Sequence, residues 1–216
     1  MNAVTDNLGL YASGLWTTVR LCLWSGASAL IIGTVAASFR VSPVPPLRGL
    51  GTSWVNVLRN TPLTVVLFFI AFGLPEVGIR GSYYGFAIAA LALYTSAFVC
   101  EALRSGINAV ALGQSEAARA IGLTFTQSLR YVILPQAFRT AIPPLVSVGI
   151  AMIKNSAVAG FFGVAGDLSA NGQSLTSAQG YAALPVLTGV VVFFWMLTVP
   201  AGLLLAAVER RTAVAR

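Results

Sequence analysis

A chain of 216 residues that is 57% hydrophobic and 9% charged, with a mean hydropathy of +0.84, carries more apolar surface than a core of its own size can enclose; soluble domains hold about 25% charged residues. Its net charge of +7 comes from thirteen basic residues spread thinly between apolar runs, not gathered on a polar face, which excludes a nucleic-acid surface. Histidine is absent and the two cysteines, Cys22 and Cys100, each sit inside an apolar run, so neither a Cys/His metal site nor Ser-His or Cys-His catalysis can be assembled.

Crossing a hydrocarbon core takes about 20 helical residues. Five stretches qualify: 15–39, 57–74, 84–103, 143–164 and 183–208. The first reads as a retained helix and not a cleaved signal peptide, because Asp6 is the only charge before Arg20 and no basic segment precedes it. Pro43, Pro45 and Pro46 make a stiff turn after it, and Pro200 is expected to kink the fifth span. No internal repeat is visible, so an inverted-repeat carrier gains no support. The expectation is one all-α membrane domain, 1–216, with about five transmembrane helices.

Arginine placement orients it. Arg40, Arg48 and Arg59 follow the first span; Arg104, Arg119, Arg130 and Arg139 follow the third; Arg210, Arg211 and Arg216 form the tail. The segment 75–83 has only Arg80 and the segment 165–181 has no basic residue. The positive-inside rule then places the N-terminus outside and the C-terminus in the cytoplasm.

The longest inward connection, 105–142, carries signs of order. Ser115 is placed to cap a helix with Glu116 in its first turn, running to Ile121 and ending at Gly122, a residue suited to the left-handed C′ position. Thr124 and Gln127 have capping-box spacing for a second helix, expected to reach Leu134 and to stop or kink at Pro135. The result is a helix–glycine–helix elbow.

The stretch EAARAIGLTFTQSLRYVILP, with Glu116, Ala117, Ala118, Gly122, Leu134 and Pro135, resembles the EAA loop of ABC importer permeases, departing where Val132 stands for the usual isoleucine. GLWTTVRL, RNTPL, EALRSGI, GQSEAARAIG and IKNSAVAG extend the resemblance over nearly the whole chain, to the polar amino acid uptake subfamily, and the combination RVSPV, RNTPLT and LYTSAFVCEALRSGIN is most similar to glutamate-uptake permeases. The resemblance implies a type I ABC importer transmembrane domain in the bacterial plasma membrane. It also implies that a coupling helix after Glu116 docks on a separate ATPase, which binds ATP and magnesium. A second permease copy or paralogue and an extracytoplasmic substrate-binding protein complete the implied assembly. No Walker A loop exists here: the only lysine, Lys154, is followed by Asn155. The chain itself calls for no cofactor.

Lys154, Asn155 and Ser156 break the fourth span with polar groups. A lysine at bilayer centre costs about 2.5–3.5 kcal/mol, so it faces the bundle or water, where it either borders the translocation path or serves as interhelical glue. Asn60 and Thr61, beside the inside anchor Arg59, are candidates for the inner vestibule. Glu101 and Arg104, three apart, form a pair that can set the angle of the loop. Asp167 reads as a solvated loop residue, with contact to a substrate-binding protein as the alternative. Two other classes compete: a stand-alone channel or ion-coupled carrier, and an intramembrane enzyme, which lacks any nucleophile with a nearby base.

Overall fold

A computed structural model of the chain describes residues 2–212; Arg216, counted above with the inward charges, lies outside them. The described residues form α-helices joined by short turns: a short α1 (Asn2–Thr5), α2 (Leu8–Arg40), α3 (Pro45–Asn60), α4 (Leu63–Phe68), α5 (Leu74–Glu76), α6 (Tyr83–Asn108), α7 (Leu112–Ala120), α8 (Phe125–Ser128), α9 (Leu134–Ser156), α10 (Leu168–Ser177) and α11 (Ala183–Thr212). Four helical segments are long and apolar enough to cross a membrane, and a bent pair makes a fifth.

That bent pair is α3 with α4–α5, joined at 101°. A straight span over 57–74 is therefore not formed. Pro62 is the cause: it disfavours helical backbone at the residue before it, and Thr61 is extended at φ −98°, ψ 130°. Between α4 and α5 the chain widens into a π turn, Phe69–Gly73.

The bundle is built on α2 and α6, which cross with little side chain between them. A Cβ on Gly33 would lie 2.6 Å from Val99 and 2.7 Å from the Ser96 carbonyl, so only glycine allows this separation. Leu67, Leu91 and Val164 fill the central core. Tyr11, Leu168, Leu175 and Val186 fill a second cluster, where the Tyr11 hydroxyl donates to the Val186 carbonyl at 3.1 Å. Large apolar side chains such as Trp24, Ile31, Phe69, Trp195 and Leu203 face outward. A helix in hydrocarbon can present them because its backbone groups are satisfied internally.

The fourth span differs most from its sequence expectation of 143–164. It begins at the π turn Leu129–Ile133, continues as α9 and ends at Ser156. Pro143 and Pro144 lie inside α9 instead of opening it. A 3₁₀ turn, Ala159–Phe162, and Gly163 at φ +88° then reverse the chain, and α10 packs back into the bundle through Leu168 and Leu175. The first helix also starts earlier than expected, at Leu8, and α11 passes through Pro200 without interruption.

Candidate functional site

The elbow between α6 and α9 forms largely as its residues dictate. Gly122 takes φ +87°, which a Cβ disfavours by about 1–2 kcal/mol. Around it the Leu123 amide donates to the Ala118 carbonyl at 3.1 Å and the Gly122 amide to Arg119 at 2.9 Å, the paired bonds of a Schellman stop. The capping box is complete: the Thr124 amide donates to the Gln127 side chain at 2.9 Å and the Gln127 amide to the Thr124 hydroxyl at 3.3 Å.

Two local expectations fail. The helix before the glycine begins at Leu112, so Ser115 lies inside it and donates to the Leu112 carbonyl at 2.8 Å instead of capping. Nor does the second helix stop at Pro135. The π turn Leu129–Ile133 precedes it, with the Leu134 amide reaching the Leu129 carbonyl, and Pro135 falls in the first turn of α9, where a missing N–H costs little. The motif residues divide by exposure. Glu116 and Ala117 are exposed and Ala118 is buried, so Ala118 packs the elbow against its own chain. Leu112 and Ile121, 81% and 78% exposed, are the apolar groups the elbow presents, and neither stood out in the sequence reading.

Behind the elbow, Glu101 gathers more charge than expected. Its Oε2 accepts from Arg104 at 2.9 Å and 3.2 Å. Its Oε1 pairs with Arg40, from the end of α2, and lies 3.7 Å from Arg59, from the end of α3. The Arg59 guanidinium also stands 5.6 Å from the Phe98 ring centroid. Arg40 and Arg59 were read only as inward charges; their convergence joins residues 61 and 42 positions apart, which no local spacing reveals.

Lys154, Asn155 and Ser156 point three ways. Lys154, in the last turn of α9, is exposed and borders a groove of about 540 Å³ shared with Ser169, Gln173, Thr176 and Trp195 of α10 and α11. Asn155 lines a separate pocket of about 180 Å³ with Tyr94, Thr95 and Phe98 of α6. Thr95 is buried there and its hydroxyl has no hydrogen-bond partner among the described residues. Ser156 is buried and donates to the Ile153 carbonyl at 2.7 Å. Asn60 and Thr61 sit at the α3–α4 break, their side chains turned back on the Asn56 and Val57 carbonyls.

Asp167 is not a solvated loop residue. It is 0% exposed and caps α10, its Oδ1 accepting from the Ala170 amide at 2.6 Å, while Oδ2 has no hydrogen-bond partner among the described residues. Burial pushes its carboxyl up to about 6, against the pull of the backbone amides of Ala170 and Ser169.

Residues 29–214 match the family model described as binding-protein-dependent transport system inner membrane component. The chain is 42% identical to a glutamate transport system permease protein, GluC, of Corynebacterium glutamicum, covering 92% of each. It is 36% identical to a probable glutamine ABC transporter permease protein, GlnM, of Bacillus subtilis, over 95% of this chain and 94% of that one. A crystal structure of an amino acid ABC transporter with histidines superposes with a TM-score of 0.91 at 32% identity, covering 96% of both chains. The chain therefore belongs to the family of binding-protein-dependent transport system inner membrane components, as a multi-pass permease subunit of the plasma membrane whose ATP is hydrolysed by a separate subunit.

Proposed function

We propose that this permease imports polar amino acids, glutamate first and glutamine behind it, and that it draws force from its ATPase through the elbow at 109–133. The observation that carries the reading is the elbow itself: a glycine-bent, capped turn exposing Leu112, Glu116, Ala117 and Ile121, in a chain 42% identical to a glutamate permease. Leu134 and Pro135 join the elbow to α9. The N-terminus lies outside and the C-terminus inside, which puts the elbow in the cytoplasm. The assembly contains ABC ATPase subunits, which bind ATP and magnesium, a second permease copy or paralogue, and an extracytoplasmic binding protein that delivers substrate.

The translocation path runs along the face where the α3–α4 break, α6 and α9 meet. Asn60 and Thr61 stand at its inner end, and Asn155 with Thr95 offers polar contacts midway. Lys154 borders the neighbouring groove and attracts a substrate carboxylate to that side, and Ser156 supports the wall between them. Glu101 and Arg104 set the angle of the elbow.

Reconstitution tests the reading. The complex in proteoliposomes should take up labelled glutamate only with ATP on the elbow side. Gly122→Val, which puts a β-branched side chain at φ +87°, should abolish ATP-driven uptake and weaken co-purification with the ATPase. Uptake by this chain alone, driven by an ion gradient, would overturn the proposal.

A further inference from the structure

Three cations from three helices meet on one carboxylate of α6, at the point where α2 and α3 end. Glu101 is 21% exposed and Arg40 16% exposed, so this is no loose surface pair. Surface pairs contribute about 0–1 kcal/mol, whereas breaking a desolvated one leaves charge unpaired. With three guanidinium groups against one carboxylate, the cluster carries two more positive charges than negative. Helix packing brings the ends together: a Cβ on Gly51 of α3 would lie 2.8 Å from Arg40 Cγ and 2.9 Å from the Ala36 carbonyl, and Trp54 donates to Ser96 of α6 at 3.1 Å.

The cluster stands just behind the stem of the elbow. Five residues beyond Glu101, about 7.5 Å along the helix, Gly106 packs on α9 so closely that a Cβ would lie 2.6 Å from the Ala137 carbonyl. The Thr140 hydroxyl of α9 lies 3.0 Å from the Gly106 carbonyl. The two chains entering and leaving the elbow are thus held to each other at Gly106, and the first of them is held to α2 and α3 at Glu101.

We infer that Arg40 and Arg59 are positioning residues that act through Glu101: they bind the ends of α2 and α3 to α6, so that movement of the elbow turns all three helices as one body. Without them, α6 would flex at its end and the elbow would move without the bundle. The inference rests on the elbow being the seat of ATPase coupling. Arg40 is the stronger of the two, since it is the less exposed and comes from the longer helix; Arg59 also fixes the bent pair through Phe98.

The experiment uses the whole importer in proteoliposomes and reads amino acids taken up per ATP hydrolysed. Arg40→Gln and Arg59→Gln should each lower that ratio about fivefold or more, and Arg40→Lys, which keeps the charge but not the forked geometry, should restore part of it. If Arg40→Gln fails to assemble with its ATPase, Arg40→Lys alone carries the test, with a ratio between wild type and Arg59→Gln. A ratio equal to wild type in the assembled variants would overturn the inference, because a merely structural loss lowers uptake and hydrolysis together. ATP hydrolysis that wild-type substrate delivery does not stimulate at all would instead overturn the coupling role of the elbow, and this inference with it.

Discussion

At the scale of single residues, Asp167 has the most definite consequence. Its carboxyl titrates near 6 in the folded protein and near 3.9 in an unfolded chain, so the folded state holds its proton more tightly. Stability from this group is present below about pH 4, falls as the pH rises through 6, and stays low above it. Asp167→Asn keeps an acceptor for the Ala170 amide and removes the charge. Its melting temperature in detergent is expected to exceed wild type at pH 7.5 by an amount equivalent to at most about 3 kcal/mol, with the two converging near pH 4. Equal melting at both pH values would contradict this. The sequence hid this role because a lone acid in a connection ordinarily faces water. Only the return of α10 into the bundle, fixed by Thr18 accepting from the Leu168 amide at 3.2 Å, makes it interior. Gly122 was legible for the opposite reason: its turn is closed by residues within a few positions of it, and the chemistry of a left-handed stop is local.

At the scale of elements, the α2–α6 crossing is set by one missing side chain. Gly33→Val would force its added atoms against Val99 and the Ser96 carbonyl, and overpacking of this kind costs about 1–3 kcal/mol. A loss of melting temperature is expected, larger than for Gly49→Val, where a Cβ meets nothing within 4 Å; equal losses would show that the crossing is not tight. Long apolar runs made α2, α6 and α11 readable from composition, although α2 begins seven residues before the expected span and α6 runs five residues past it. The break at Pro62 was not read, because the stretch around Asn60–Leu63 still satisfied a span by hydropathy, and the bend comes from Pro62 acting on the backbone of Thr61. The fourth span slipped for a related reason: Pro143 and Pro144 looked like a start, yet α9 accommodates both. Neither π turn leaves a mark in hydrophobic periodicity.

For the whole molecule, the inside-outside arrangement yields to labelling. Single cysteines at Gly113 in α7 and at Gln179 beyond α10, in a background with buried Cys22 and Cys100 replaced, should react from opposite sides of the membrane, Gly113→Cys from the cytoplasm. Reaction of both from one side would mean an even number of crossings between them and would overturn the arrangement. Class and general architecture were readable because lipid imposes them on composition, while the meeting of Arg40, Arg59 and Glu101 depends on how three helices cross. The π turn at Leu129–Ile133 carries a last consequence. It holds one residue beyond what a regular helix needs, and the widened turn absorbs it, so the residues on either side keep the faces they would have in an unbroken helix. Deleting one residue there should restore a regular α ladder with little change in where the elbow faces, whereas deleting one from the regular part of α9 would swing the elbow by about 100° and turn its exposed apolar pair the wrong way.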